Sequence, residues 1–234
     1  MKSCARIPLV AGAIVAVSLS SAAPMLAQRM EDLDESTRAT LEQIRAATEK
    51  YQDPEVALAD GYIREPMNLC AHAADEDLPP QVGAMGVHFF RPDQLGINAT
   101  EPRVNGNGIH TDFLKPSILV YHPTADGSLK LGAVENLVWE RAWTEAGNDG
   151  PPEFHGFQYW HRIDNPATTY ADEAHLFEPH YELHVWLFEE NPAGIFAQFN
   201  PRVSCDNHDG PKTMAEAMTL MTAGAPPAAG GGRQ

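Results

Sequence analysis

The stretch His180-Tyr181-Glu182-Leu183-His184-Val185-Trp186-Leu187 decides how this chain reads. Successive side chains of an extended strand point to opposite faces, so His180, Glu182, His184 and Trp186 share one side. Tyr181, Leu183, Val185 and Leu187 share the other and form a stripe suited to a packed core. The first set places imidazole and carboxylate side by side, the donor types that divalent transition metals take. Trp186 continues along that same face, which argues for an enclosed pocket over a water-facing surface. Asn191-Pro192-Ala193-Gly194 closes the strand, which is expected over residues 178–188.

The same two-residue period recurs upstream. In residues 84–90, Met85, Val87 and Phe89 point one way and Gly86, His88 and Phe90 the other. Residues 117–122 and 129–139 read as a hairpin around Asp126-Gly127. Pairing His122 with Leu129 sets Val120 against Leu131 and Ile118 against Ala133, which gathers the apolar side chains on one face. Glu135 falls on that face too, where a carboxylate needs a cation, a metal or an edge open to water. Residues 91–115, with Asn105-Gly106-Asn107-Gly108, and residues 140–177, with Pro151, Pro152 and Pro166, read as loop-rich. Residues 195–199 suggest one more short strand.

Helices are expected before the strands. Residues 31–51 carry Leu33, Leu41, Ile44 and Thr48 on one stripe, Asp53-Pro54-Glu55 looks like the start of a second helix, and Gly61 its end. A short helix with Met214, Met218 and Met221 on one side follows Cys205. Together these predict an α+β fold: a curved or barrel-like antiparallel β-sheet with N-terminal helices packed on it.

Lys2 and Arg6, an apolar run over residues 8–19 and the small residues after it have the layout of a secretory signal peptide over residues 1–27. A single domain over residues 28–222 and a disordered tail over 223–234, rich in Gly, Ala and Pro, complete the organisation. Losing Lys2 and Arg6 would take the formal charge from −16 to −18. So acidic a chain repels nucleic-acid phosphate and anionic lipid, so neither nucleic acid nor, after leader cleavage, a membrane is an expected partner. Export to a secreted or periplasmic compartment makes a Cys70–Cys205 disulfide the natural state of the two remaining cysteines. The rival is a structural zinc site that joins them to His72 and His208.

The candidate ligands of a mononuclear ion are therefore His88, Glu135, His180, Glu182 and His184. Glu182 can also act as a general base, and His180 as a partner of a ligand. Because residues i and i+4 of a strand lie roughly 13 Å apart, His180 and His184 need not bind one ion. The expected constellation takes one or two residues from this strand and completes itself with His88 and Glu135. His155, His161 and His110 with Asp112 are further donors that could reach in from loops; His122, at the hairpin turn, reads as solvated. Three imidazoles and one carboxylate inside a β-barrel is the pattern of cupin-type metal sites, but the order of motifs differs, so the analogy is of site alone.

Met85-Gly86-Val87-His88, Leu131-Gly132-Ala133-Val134-Glu135, the run from Tyr181 to Gly194 and Asn200-Pro201-Arg202-Val203-Ser204-Cys205 resemble a family of secreted bacterial proteins of unassigned function. The resemblance covers most of the chain after residue 40, implies secretion and one domain, and brings no activity with it.

The expected cofactor is a divalent transition metal (Zn, Cu, Fe or Mn). Open coordination positions would make the protein a small metalloenzyme, an oxidoreductase or a hydrolase acting on a small molecule. Two other classes fit the same residues: a metal-free module binding a small organic ligand, and a metal chaperone or sequestration protein. No Gly-x-Ser-x-Gly turn and no phosphate-binding glycine loop is present.

Overall fold

A computed structural model describes residues 28–100, 102–168 and 172–222; the expected leader and tail lie outside them. Helix α1 (Glu35–Thr48) begins at Asp34, whose carboxylate accepts the Thr37 N–H at 3.0 Å and so satisfies one of the free donors of the first turn. Its buried side carries Leu41 and Ile44 with Thr37 and Thr48. Helix α2 (Pro54–Ala59) is capped by Asp53 and ends before Gly61, which sits at φ +96.

Strands β1 (Ile63–Arg64), β2 (Cys70–His72) and β3 (Ala84–Phe90) follow. Helix α3 (Pro92–Leu95) leads into a ribbon of β4 (Ile97–Ala99) and β5 (Asn105–Gly106), within the segment expected to be loop. The hairpin is β6 (Ile118–Pro123) and β7 (Leu129–Trp139). Helix α4 (Glu140–Glu145), a small hairpin of β8 (Glu153–Phe154) and β9 (Phe157–Gln158), and β10 (Trp160–Arg162) occupy the second loop-rich region. The long strand is β11 (His180–Val185), and α5 (Met214–Thr222) ends the described chain.

Seven strands form one antiparallel sheet in the order β1-β3-β6-β7-β11-β10, with β2 pairing β3 beside β1. The fold is α+β. It is not a closed barrel: β1 and β2 end the sheet on one side and β10 on the other, and these edges do not pair with each other. Edge strands of two or three residues leave little ladder on which closure could be built.

The hairpin register differs from the expected one by two residues at its far end. Thr124 N–H donates to Ser128 O at 2.9 Å and closes the turn one residue tighter, so Pro123 opposes Leu129. A bulge at Gly132 of β7, opposite the Val120–Tyr121 step of β6, then shifts the pairing again, so Val120 opposes Ala133 and Ile118 opposes Glu135. Leu129 and Leu131 thereby leave the face they were expected to share with Ala133. Strand β11 also ends earlier than expected, because Trp186 N–H turns away to Ile195 O at 2.9 Å. Residues 195–199 are turns, not a strand: the Ile195, Phe196 and Ala197 carbonyls accept from Trp186 and Trp160 instead of a sheet partner.

The two faces of the sheet have different covers. Tyr121 and Leu119 look toward the helices, where Tyr121 Oη donates to Tyr51 O at 2.8 Å and Leu41 and Ile44 complete the core. On the opposite face Met67, Leu69, Ala174 and Phe177 close over the sheet. Cys70 of β2 is disulfide-bonded to Cys205, tying that edge of the sheet to the chain's later part. Both thiolates of the alternative zinc site are therefore consumed, and His208 is held elsewhere, on Asn68 O at 2.6 Å.

Candidate metal centre

Alternation puts His88 (β3), Glu135 (β7) and His180, Glu182 and His184 (β11) on the sheet face away from the helices. Register decides which of them meet. Glu135 and His184 are directly opposed across β7 and β11. His88 reaches them over Val120, its partner in β6. Gly86, two residues before His88, sits at φ +118, and a Cβ there would lie 2.3 Å from Tyr121 O. Only glycine lets β3 approach β6 this closely.

His88 Nε2 lies 3.5 Å and His184 Nε2 3.3 Å from Glu135 Oε2, and the three donor atoms all fall within 4.8 Å of one another. Two donors bound at about 2.1 Å to one tetrahedral ion sit about 3.4 Å apart, so these separations suit a shared ion. The His184 side chain is fully buried and that of Glu135 nearly so, at 2 % exposure. Glu135 Oε2 and both ring nitrogens of His184 have no hydrogen-bond partner. Buried polar atoms are paired in the great majority of cases, so this is a concentrated exception. The Trp186 ring stacks beside His184 with centroids 6.2 Å apart.

Electrostatics fit that description. Burial pushes the pKa of His88 down to about 3 and that of His184 to about 4, so both imidazoles are neutral and offer lone pairs at neutral pH. Burial, reinforced by the charge of Glu182, holds the Glu135 carboxyl well above the usual carboxylate range. A cation placed among the three would reverse that cost, since it favours the ionised carboxylate and uses the free donors.

His180 and Glu182 lie outside this group, in an ion-pair network one row along the strand. Glu182 meets Arg162 Nε at 3.2 Å and His180 Nε2 at 3.3 Å. Arg162 also binds Glu76, and His175 Nε2 lies 2.7 Å from the same carboxylate. Burial raises the Glu182 pKa, but Arg162 and His180 outweigh it and hold the carboxyl well below the ordinary range. That makes Glu182 a fixed anion and a weak proton acceptor, which counts against the general-base role. Of the loop donors, His155 meets Thr37 Oγ1 at 3.2 Å, His161 meets Glu140 at 3.2 Å, and His110 bonds Lys115 O at 2.7 Å. His122 lies 3.8 Å from Glu189 and so outside the group too.

No family model, curated protein or solved structure matches the chain. The site must therefore be read from its own chemistry.

Sequence reasoning missed Arg162, Glu76, His175 and Glu65. Glu65 is buried, accepts the Met67 N–H at 2.9 Å, and has its pKa pushed up to about 7 by burial. Only Arg162 left a usable trace, as a cation within reach of a strand that carries acids.

Proposed function

We propose that this protein binds a single divalent transition metal (Zn, Cu, Fe or Mn) through His88, Glu135 and His184 on the covered face of its sheet. The observation that carries the reading is the convergence of two neutral imidazoles and one carboxylate, with the donor atoms of Glu135 and His184 buried and unpartnered. Two histidines and a carboxylate that leave open positions are a ligand set of zinc hydrolases and of iron oxygenases, so the protein is read as a small metalloenzyme. When bound, the ion would supply a Lewis acid and a site for a small exogenous ligand. The chain's own residues supply the donors, the dry surroundings and, through Arg162 and Glu182, a fixed arrangement of charge beside them.

The disulfide supports export to an oxidising compartment, secreted or periplasmic, as the leader-like N-terminal segment does. No helix among the described residues is long and apolar enough to cross a membrane. The net charge of −16 favours neither nucleic acid nor anionic lipid as a partner. The two rivals are weaker. A chaperone that hands over metal needs accessible donors, and Glu135 and His184 are buried. A site for an organic ligand needs about 300–1,000 Å³, whereas the cavity beside His88 and Glu135 has about 40 Å³.

Elemental analysis of the full chain, produced without a histidine tag and dialysed after exposure to each metal, tests the reading. One ion per chain is expected, with loss of binding in His184→Ala whose circular dichroism is unchanged. Wild-type protein that retains no ion, or a His184→Ala variant that retains as much as the wild type, would overturn it.

A further inference from the structure

Resting on the metal-site reading, we infer that the exogenous ligand of this centre is a molecule of two or three heavy atoms, uncharged or singly negative, of the size of dioxygen, peroxide or azide. The inference comes from a small space lined by two of the donor residues, His88 and Glu135. His88 and Glu135 border a cavity of about 40 Å³ between the sheet and its cover. A single water needs about 10–15 Å³ of such space, so this cavity holds about three atoms of that size. A sugar, an amino acid or an aromatic ring does not fit without moving the walls.

Those walls are set by packing that resists movement. Phe90 packs edge-on against Phe177 with centroids 5.6 Å apart, and Leu137 is a sheet residue of β7. Met67 and Leu69 are fixed from below by Glu65, whose carboxylate accepts both of their backbone N–H groups. Cores built this way do not open smoothly for a larger guest.

Charge narrows the class further. An ion of charge +2 with the Glu135 carboxylate leaves a single positive charge at the centre. The other ionised groups near the cavity are already committed: Glu182 to Arg162, and Glu76 to Arg162 and His175. Among the described residues no cationic side chain is left free there to receive a second negative charge, and Glu65 adds an acid to the lining, so a dicarboxylate or a phosphate lacks a counter-ion. An uncharged or singly charged diatomic or triatomic ligand meets both limits.

Cobalt(II) substitution followed by ligand titration tests this. Cobalt should load at one ion per chain and give visible bands, which azide should shift with saturation. Imidazole and catechol should bind at least about tenfold more weakly or leave the bands unchanged. Leu137→Ala, which removes a wall side chain, should gain imidazole binding while retaining cobalt. Equal response to azide and imidazole in the wild type would overturn the size limit. One bound cobalt whose bands no azide shifts would overturn the open site. Failure of cobalt to load at all defeats the metal reading itself, and is recognised by the missing ion before any ligand is added.

Discussion

Replacing Glu135 by leucine should make the metal-free protein more stable and at the same time remove its response to metal. Glu135 Oε2 is buried without a hydrogen-bond partner on a sheet face whose neighbours include Ile118 and Leu137. A buried acceptor left unsatisfied costs about 1–3 kcal/mol, and an apolar side chain of similar length removes that cost. We therefore expect Glu135→Leu to gain about 1–2 kcal/mol in the presence of a chelator, a rise in Tm of about 2–8 °C for a domain of this size. Wild-type protein with metal at one hundred times its Kd should gain about 2.7 kcal/mol, so that the order of stabilities reverses. Urea unfolding of both proteins, with chelator and with metal, measures all four values. A Glu135→Leu variant that loses stability without metal, alongside a wild type indifferent to metal, would refute the reasoning: Glu135 would then be held by the protein itself.

Gly86→Ala forces a side chain onto Tyr121 O at a backbone angle that L-residues avoid. It should cost about 1–3 kcal/mol and weaken metal binding by displacing His88, a combination that calorimetry and elemental analysis would register. Arg162→Met strips the counter-charge from Glu76 and Glu182, and truncating one member of such a buried network costs about 3–5 kcal/mol in urea unfolding. Reducing the disulfide, with a sequence separation of 135, should cost at most about 5 kcal/mol in the chain-entropy picture, seen as a lower urea midpoint in dithiothreitol. Glu65 links stability to pH. Its folded pKa of about 7 lies above the ordinary 4.5, so the folded state holds the extra proton between those values. Metal-free protein should thus lose stability as pH rises from 4.5 through 7, by about 3 kcal/mol at this site, and Glu65→Gln should flatten that slope.

Much of the fold was legible because one period dominates it. The alternation in residues 180–187 fixed a strand with two unlike faces, and the same alternation around His88 and the misplaced acid at Glu135 marked their shared side. What alternation cannot supply is the row in which side chains meet. His180, Glu182 and His184 share a face, yet neighbours on that face are about 6.8 Å apart, so one row can join Glu135 and the next cannot. The row is chosen by the β7–β11 pairing, which opposes His184 to Glu135, while the tighter turn at Thr124 and the bulge at Gly132 set how β6, and through it His88 of β3, aligns with β7; none of these has a strong signature in the letters. Closure was misjudged for a similar reason. Whether a sheet becomes a barrel depends on its edges, and here they are two- and three-residue strands that periodicity does not detect. Glu76 lies 86 residues before Arg162 and 99 before His175, and its meeting with them follows from tertiary packing alone.

The two rows on β11 also differ in where their counter-charge comes from, and this separates a structural polar cluster from a site. In the first row Glu182 is matched by Arg162 and His180, and Glu76 by Arg162 and His175. That row is complete within the chain and needs nothing further to be stable. In the second row Glu135 faces only two imidazoles that burial keeps neutral. Each neutral imidazole carries one N–H, yet Glu135 Oε2 and both ring nitrogens of His184 make no hydrogen bond, so the protein leaves these buried atoms unpaired. Folding tolerates such a defect when something outside the chain corrects it, and a cation corrects all three donors at once. The asymmetry between two adjacent rows of one strand is thus the strongest physical reason to place the ion at His184 and Glu135, and not at His180 and Glu182.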